Sequence, residues 1–222
     1  MCVIAVSLKG HKFSEKDLRK MWDSNSHGAG VAWIEKRGQV KVMKGLMSFD
    51  QFMEVYETVP ETMHAVHFRL RSAGEILPQL THPFRVDAVD GQKLTYTAKA
   101  VLFHNGTVSD WRSLYLAILS SFRKKEREKI LSLQGVSDTY VMALMVYRYG
   151  HEILKHLDLG GKWLVFASQP VFYGFWDEDR KNGFKFSNLS WKYSLNDVRY
   201  RYSYGSLSSG WKGSWYKGDD DV

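Results

Sequence analysis

The hydrophobic and polar positions along the chain fall into short blocks, several of which predict β-strands. Residues 2–8 form an apolar run rich in β-branched side chains that stops at Lys9-Gly10, a pattern typical of a buried strand. Residues 28–34 and 39–43 flank Arg37-Gly38 and predict a β-hairpin. Further strands are predicted over 63–71, 94–103, 162–168, 171–175 and 184–186.

Other blocks place apolar residues at helical spacing. Ser14 and Ser48 each begin a segment that resembles a capping box, so a helix is expected after each of them. Hairpins mixed with grouped helices favour antiparallel sheets packed against helices over a regular βαβ alternation. The predicted helices span 14–25, 48–57, 111–122 and 139–157.

The 222 residues suit one domain with a short appendage. Composition changes near residue 187, after which Ser, Tyr, Trp and Gly dominate. We therefore predict a domain over 1–186 and a C-terminal extension over 187–222, of which 203–222 is expected to be flexible. The extension also interleaves aromatic and basic residues, which can stack on nucleic-acid bases.

The formal net charge of +7 permits an anionic partner. The Lys and Arg residues are scattered, however, and the densest group, 123–129, is interleaved with Glu. This distribution favours a solvated basic surface over a nucleic-acid site. Apolar runs fall short of the roughly 20 residues that a membrane-spanning helix needs, and residues 1–9 lack the features of a secretory signal. We expect no membrane partner.

The chain has one cysteine, which excludes an internal disulfide and a Cys-based zinc site. A single free thiol fits a reducing compartment, so a cytoplasmic location is expected. The eight histidines form no recognised ligand motif, and Gly28-Ala29-Gly30 lacks the third glycine and the preceding strand of a dinucleotide-binding loop. The sequence thus predicts neither a metal site nor a cofactor.

Cys2 has the most distinctive position of the candidate catalytic residues. Removal of Met1, which generally occurs before a small residue, leaves a thiol and a free α-amine on one residue. An α-amine titrates near about 7.7–8, so it can accept the thiol proton at neutral pH. This is the arrangement of an N-terminal nucleophile. The alternative is a small buried apolar residue in the first strand.

Two further patterns suggest residues that bind the charged groups of an amino acid. Period-two alternation puts Arg69 and Arg71 on one strand face, where a guanidinium can hold a carboxylate through two parallel hydrogen bonds. The alternative is an ordinary charged sheet face. Asp138 opens a predicted helix, where it can bind a substrate ammonium or serve as a helix cap.

A third pattern, His104-Asn105-Gly106, follows the predicted strand 94–103. Asn-Gly is a strong hairpin-turn dipeptide, which gives a structural explanation. The functional explanation is an oxyanion hole, because the Asn105 amide and the Gly106 backbone N–H can both donate to one oxygen.

Together and in this order, the motifs resemble the glutaminase domain of class II glutamine amidotransferases, a branch of the N-terminal-nucleophile hydrolases. The resemblance spans about residues 2–175 and is nearest to stand-alone, single-domain members, some of which hydrolyse γ-glutamyl amides. The family opens with Met-Cys-apolar, as this chain does. The other matching segments are 28–33, 67–74, 81–84 (Thr-His-Pro-Phe), 104–106 and 137–139.

The resemblance implies an α+β fold, a four-layer αββα sandwich with two antiparallel sheets between helix layers. It implies that Cys2 is the nucleophile and that its α-amine is the base. Asn105 and Gly106 would form the oxyanion hole.

The resemblance also implies how a substrate is held. Arg69 would bind the α-carboxylate of glutamine and Asp138 its α-ammonium. Ser72 would lie in a loop that closes over the substrate, and His82 would support that loop.

The expected activity is therefore cysteine-dependent release of ammonia or an amine from glutamine or a γ-glutamyl compound. Any ammonia acceptor is expected on a separate synthetase, because little chain follows residue 175. Leu70-Arg71 stands where synthetase-linked members often have Trp-Ala, and Ala73 replaces a His. Arg71 adds a positive charge that suits a substrate with an extra anionic group.

Two other classes of function stay open. One is an N-terminal-nucleophile amidase for a different amide, such as an acyl amino acid, although Arg69 and Asp138 suit an α-amino acid. The other is a non-catalytic binding protein whose basic, aromatic extension contacts a partner or nucleic acid. Cys2 and Asn105 argue against that class.

Overall fold

The computed structural model describes residues 2–156 and 161–192, which form eleven strands and six α-helices. The strands are β1 (Val3–Ser7), β2 (Ala29–Ile34), β3 (Val40–Leu46), β4 (His64–Phe68), β5 (Phe84–Arg85), β6 (Thr95–Ala98), β7 (Val101–Asn105), β8 (Lys162–Phe166), β9 (Val171–Tyr173), β10 (Asp177–Asp179) and β11 (Phe184–Phe186). The helices are α1 (Glu15–Ser24), α2 (Phe49–Thr58), α3 (Trp111–Ser120), α4 (Lys124–Leu131), α5 (Asp138–Tyr149) and α6 (Ile153–His156).

The strands form two sheets in which every pairing is antiparallel. The first sheet has the order β10-β11-β1-β4-β2-β3-β6, and the second has the order β5-β7-β8-β9. In the first sheet, β1 lies between β11 and β4, and Val3 pairs with Phe68. This register brings Cys2, just before β1, next to the residues that follow β4.

Side-chain alternation along the strands creates the layers. On β1, Val3 and Ala5 pack with the helices α1 and α2, whereas Ile4 and Val6 face the second sheet. On β8, Leu164 faces the first sheet, and its neighbours on either side pack with α3 and α5. The result is helices, sheet, sheet, helices, which confirms the predicted four-layer αββα sandwich.

Three predicted elements were wrong in extent. The predicted strand 63–71 ends at Phe68, so Arg69 and Arg71 follow β4 and do not share a strand face, and Arg69 is buried whereas Arg71 is exposed.

The segment 94–103 is not one strand: β6 belongs to the first sheet, and β7, beginning at Val101, belongs to the second. Tyr96, Ala98, Val101 and Phe103 all face the core between the sheets, so apolar spacing continues while the chain changes sheet.

The predicted helix 139–157 is also divided. Helix α5 ends at Tyr149, where Gly150 has φ of +84°, a conformation that glycine adopts most readily. Helix α6 then begins at Ile153.

Residues 187–192, which the sequence assigns to the C-terminal extension, pack against the first sheet, with Ser187, Asn188 and Trp191 buried. The segment 203–222 lies outside the described residues, and its predicted flexibility stays a prediction. None of the described helices is long and apolar enough to cross a membrane.

Candidate active site

The side chain of Cys2 lies at the start of β1 with 7% of its surface exposed. Its thiol contacts the backbone of Leu70: the Leu70 N–H donates to Sγ at 3.3 Å, and Sγ lies 3.4 Å from the Leu70 carbonyl oxygen. Burial raises the pKa of the Cys2 thiol above its ordinary value, although the Leu70 N–H and the Arg69 charge oppose this shift. At neutral pH the thiol is therefore protonated, and a proton acceptor is needed to activate it.

The thiol borders a small cavity that is lined by residues from distant parts of the chain. Its volume is about 10 Å³, which is room for roughly one water molecule. Six of the seven residues that the sequence predicts for the site line it: Cys2, Arg69, Ser72, His82, Gly106 and Asp138.

Arg69 follows β4 and is 4% exposed. Its guanidinium donates to two backbone carbonyl oxygens, from Nη1 to Glu75 at 2.7 Å and from Nη2 to Ala73 at 3.0 Å. These bonds hold the segment 70–75, in which Leu70, Ser72 and Ala73 line the cavity. The guanidinium therefore faces the cavity while it also holds a segment that lines it.

Asp138 is buried at the first position of α5. Oδ2 accepts from the Val108 N–H at 3.1 Å, and Oδ1 accepts from the Thr139 N–H at 2.8 Å. Burial raises the pKa of Asp138, and these two bonds together with the Arg69 charge oppose the rise. The cap of α5 is Ser137, whose hydroxyl accepts from the Tyr140 N–H, so the helix-cap interpretation of Asp138 was wrong, and its carboxylate borders the cavity.

The predicted oxyanion-hole residues are placed differently from each other. Gly106 lines the cavity, whereas Asn105 is absent from its described lining. The Nδ2 of Asn105 donates to the Ser187 hydroxyl at 2.9 Å, and Oδ1 is buried without a hydrogen-bond partner among the described residues.

His82 and Ser72 both line the cavity. The ring of His82 stacks on His67 with the centroids 4.1 Å apart, and the pKa of His82 is lowered well below its usual range by burial and by the His67 and Arg69 charges. Its backbone approaches β2 so closely that a Cβ on Gly30 would lie 2.0 Å from the His82 oxygen. This contact explains why a glycine is needed in the Gly-x-Gly motif.

Lys44 supports the loop that carries His82, a role that the sequence did not predict. This lysine is 3% exposed, and Nζ donates to the carbonyl oxygens of Gln79, Thr81 and Gly91 at 3.1, 3.0 and 2.9 Å. Lys44 continues the alternation of Val40 and Val42 along β3, and this pattern could have indicated that its side chain is buried.

His104 also lines the cavity without having been assigned a role from the sequence. Its ring stacks on Trp163 at a centroid distance of 3.6 Å, and Nδ1 lies 3.1 Å from the Thr139 hydroxyl. Burial lowers the pKa of His104 to about 3. The ring is therefore neutral at physiological pH and shapes the cavity wall without a charge.

Larger spaces adjoin the small cavity on its outer side. One of about 230 Å³ is bordered by Cys2, Leu70, Arg71, Gly106 and neighbouring residues. A second, of about 480 Å³, shares Arg71 with the first and extends to Trp111. Cys2 is therefore reachable from outside through a space in which Arg71 supplies positive charge.

No family model and no curated protein matches the chain. Among solved structures, a glutamine phosphoribosylpyrophosphate amidotransferase from B. subtilis, complexed with ADP and GMP, aligns with a TM-score of 0.58 at 16% identity, over 84% of this chain and 42% of that one. A glutamine aminotransferase class-II domain protein from Silicibacter pomeroyi aligns with a TM-score of 0.47 at 12% identity, over 84% of this chain and 87% of that one.

The likeness to the B. subtilis enzyme shows the class of fold. The chain shares its fold, two antiparallel sheets between layers of helices, with that amidotransferase. The chain spans less than half the length of the B. subtilis enzyme. A shared fold does not determine activity, which depends on the residues of the site.

Proposed function

We propose that this chain is a cysteine-dependent amide hydrolase that releases ammonia or an amine from glutamine or another γ-glutamyl compound. The observation that carries the proposal is the convergence of Cys2, Arg69 and Asp138 on one cavity. A thiol nucleophile, a buried cation and a buried carboxylate together match an amide whose parent molecule bears an α-carboxylate and an α-ammonium group.

The chemistry begins with removal of Met1, which exposes the α-amine of Cys2. This amine takes the thiol proton, and Sγ attacks the δ-carbonyl carbon. The negative oxygen that forms is stabilised by the Gly106 N–H and the Asn105 amide. The C–N bond then breaks, and the departing nitrogen receives the proton from the α-amine. Water hydrolyses the resulting thioester, which releases glutamate and restores the thiol.

Substrate binding requires the segment 70–75 to move, because a cavity of about 10 Å³ is far smaller than an amino acid. The bonds from Arg69 to the Ala73 and Glu75 carbonyl oxygens hold this segment in place. A substrate carboxylate is a stronger acceptor than a neutral carbonyl, so it can take over these guanidinium donors. Binding and opening of the segment are then coupled through Arg69.

The space of about 230 Å³ next to Cys2 favours γ-glutamyl compounds whose leaving group is larger than ammonia. Arg71 borders that space and suits a leaving group with an anionic substituent. Ammonia released from glutamine itself would need a separate acceptor enzyme to be used in synthesis.

The test is turnover by protein from which mass spectrometry shows Met1 to be absent. Glutamine, a γ-glutamyl amino acid and an uncharged γ-glutamyl alkylamide are supplied in parallel, and glutamate release is measured. We expect turnover of at least one substrate and none with Cys2→Ala. Absence of glutamate release from all three substrates, with folded Met1-free protein, would contradict the proposal.

A further inference from the structure

Ser187 connects the strand that carries the nucleophile to the candidate oxyanion residue. It follows β11 directly and is fully buried. Its N–H donates to the Ile4 carbonyl oxygen at 2.9 Å, and its hydroxyl accepts from the Ile4 N–H at 2.9 Å. The same hydroxyl lies 2.9 Å from Nδ2 of Asn105, at the end of β7 in the other sheet.

The hydrogen-bond donors and acceptors of Ser187 and Asn105 do not all find partners. A serine hydroxyl offers one proton and two acceptor sites. The N–H groups of Ile4 and Asn105 occupy both acceptor sites, and among the described residues nothing accepts the Ser187 proton. The Oδ1 of Asn105 is meanwhile buried without a donor among those residues. Two unsatisfied groups in one buried contact destabilise the folded protein.

Exchanging the two ends of the Asn105 amide pairs the Ser187 proton with Oδ1 and leaves only the Nδ2 protons without an acceptor among the described residues. The heavy atoms keep their places, because the amide oxygen and nitrogen are nearly equal in size and differ in their hydrogen-bonding roles. The Ser187 hydroxyl then donates to Oδ1 and still accepts from the Ile4 N–H. Both protons on Nδ2 are directed away from Ser187 and are available to another acceptor.

We infer that Ser187 is a positioning residue that fixes the Asn105 amide so that its N–H donors are presented to the oxyanion of the reaction. This inference rests on the proposed function for its catalytic consequence, and on the hydrogen-bond inventory for the amide orientation. The Ser187 hydroxyl also holds Ile4, two residues from Cys2. This bond anchors Ser187 to β1, whereas β1 itself is held by its backbone pairing with β4 and β11, so the positioning role concerns the Asn105 amide.

The orientation is tested without reference to activity. In NMR spectra of the full chain, the Asn105 side-chain amide protons should show no NOE to the Ser187 β-protons, because the oxygen faces the hydroxyl. Strong NOEs between them would overturn the inference whether or not the protein is an enzyme.

The positioning role is tested by Ser187→Ala. We expect kcat for γ-glutamyl hydrolysis to fall about 10-fold or more, with KM changed little, since donor alignment matters most in the transition state. Ser7→Ala is the matched control, because Ser7 is equally buried in β1 and its hydroxyl has no partner among the described residues. That variant should retain full activity.

A double mutant separates positioning from a general structural effect. If Ser187 acts through Asn105, then Ser187→Ala should cost less than about 2-fold when Asn105→Ala is already present. The rate of Cys2 alkylation should also be unchanged in Ser187→Ala. An equal loss in both backgrounds, or slower alkylation by the same factor as kcat, would overturn the inference. An inactive wild type would instead refute the proposed function and leave the NMR result to decide the orientation.

Discussion

The thiol of Cys2 lies against the backbone of Leu70, with Sγ 3.3 Å from the amide nitrogen and 3.4 Å from the carbonyl oxygen. Leu70 directly follows Arg69, so the nucleophile and the candidate carboxylate-binding residue are joined through a single backbone contact. Movement of the segment 70–75 would therefore change the surroundings of the thiol and free the guanidinium at the same time.

Burial of the thiol predicts slow alkylation at neutral pH. Because the pKa of Cys2 is raised, the thiolate fraction is small at pH 7 and grows above the ordinary value of 9.0. The protein for this test carries a short N-terminal extension, so that Met1 is retained. We expect iodoacetamide to react slowly with Cys2 at pH 7, and the pH dependence of the alkylation rate to have its midpoint above pH 9.0. Urea-unfolded protein is the control and should react faster at each pH below that midpoint. A folded-state midpoint below the unfolded one would contradict the description of Cys2.

Substitution of Arg69 or Asp138 by an uncharged residue is expected to lower the affinity for substrate. Removing either charge, by Arg69→Gln or Asp138→Asn, should lower kcat/KM for a γ-glutamyl substrate by about 10- to 100-fold, mainly through KM, since each change removes a charge-assisted bond of about 1.5–3 kcal/mol. Asp110→Asn is a control at an exposed helix start, where the side chain makes no capping bond. Unchanged KM in both cavity variants would rule out their substrate-binding roles.

Substitution of Lys44, which lies outside the cavity lining, is expected to lower the stability of the protein strongly. Lys44→Met removes the donor for three carbonyl oxygens, two of them in buried hydrogen bonds, so we expect the free energy of unfolding to fall by about 3 kcal/mol. Lys41→Met, on the same strand with a half-buried side chain, should change it by less than about 0.5 kcal/mol. Urea denaturation measures both variants. Equal midpoints for the two would show that the Lys44 bonds do not stabilise the loop.

The buried histidines predict sensitivity to acid. Burial lowers the pKa of His64 from 6.5 to about 4 and that of His104 to about 3. Below pH 6.5 the unfolded chain therefore binds protons that the folded protein excludes. The free energy of unfolding should fall by about 1.4 kcal/mol per pH unit for each such histidine as the pH decreases from 6.5 toward 4.

The variant His64→Gln identifies the contribution of one histidine to this slope. Glutamine can still hydrogen-bond but takes up no proton, so the slope between pH 6.5 and 4 should decrease by about 1.4 kcal/mol per unit. Denaturant titrations at several pH values measure the slope. A slope equal to that of the wild type would show that His64 does not contribute to acid sensitivity.

Local patterns predicted most of the fold because they act over short distances. Ser14 and Ser48 do cap α1 and α2, with side chains that accept from Asp17 N–H and Gln51 N–H. The division of 94–103 between the sheets was missed because both strands face the same core, so alternation alone carries no sign of the crossing. The short strand β10, with the charged sequence Asp177-Glu178-Asp179, has no apolar pattern to reveal it.

Short local motifs also predicted part of the candidate site. Arg69, Gly106 and Asp138 stand in short motifs whose order suggested one site, and the structure brings them around one cavity. Ser187 was missed because its role depends on contacts with Asn105 and Ile4, which are separated from it in sequence by 82 and 183 positions. A lone serine in a polar segment gives no local signal of such contacts.

The central claim is that Cys2 attacks the amide carbonyl of a bound α-amino acid. The most direct measurement treats Met1-free protein with a glutamine analogue in which a diazoketone replaces the carboxamide, and then maps adducts by mass spectrometry. We expect one adduct, on Cys2, and we expect both excess glutamine and the Arg69→Gln substitution to slow its formation. No adduct on Cys2, or labelling that glutamine and Arg69→Gln leave unchanged, would contradict the central claim.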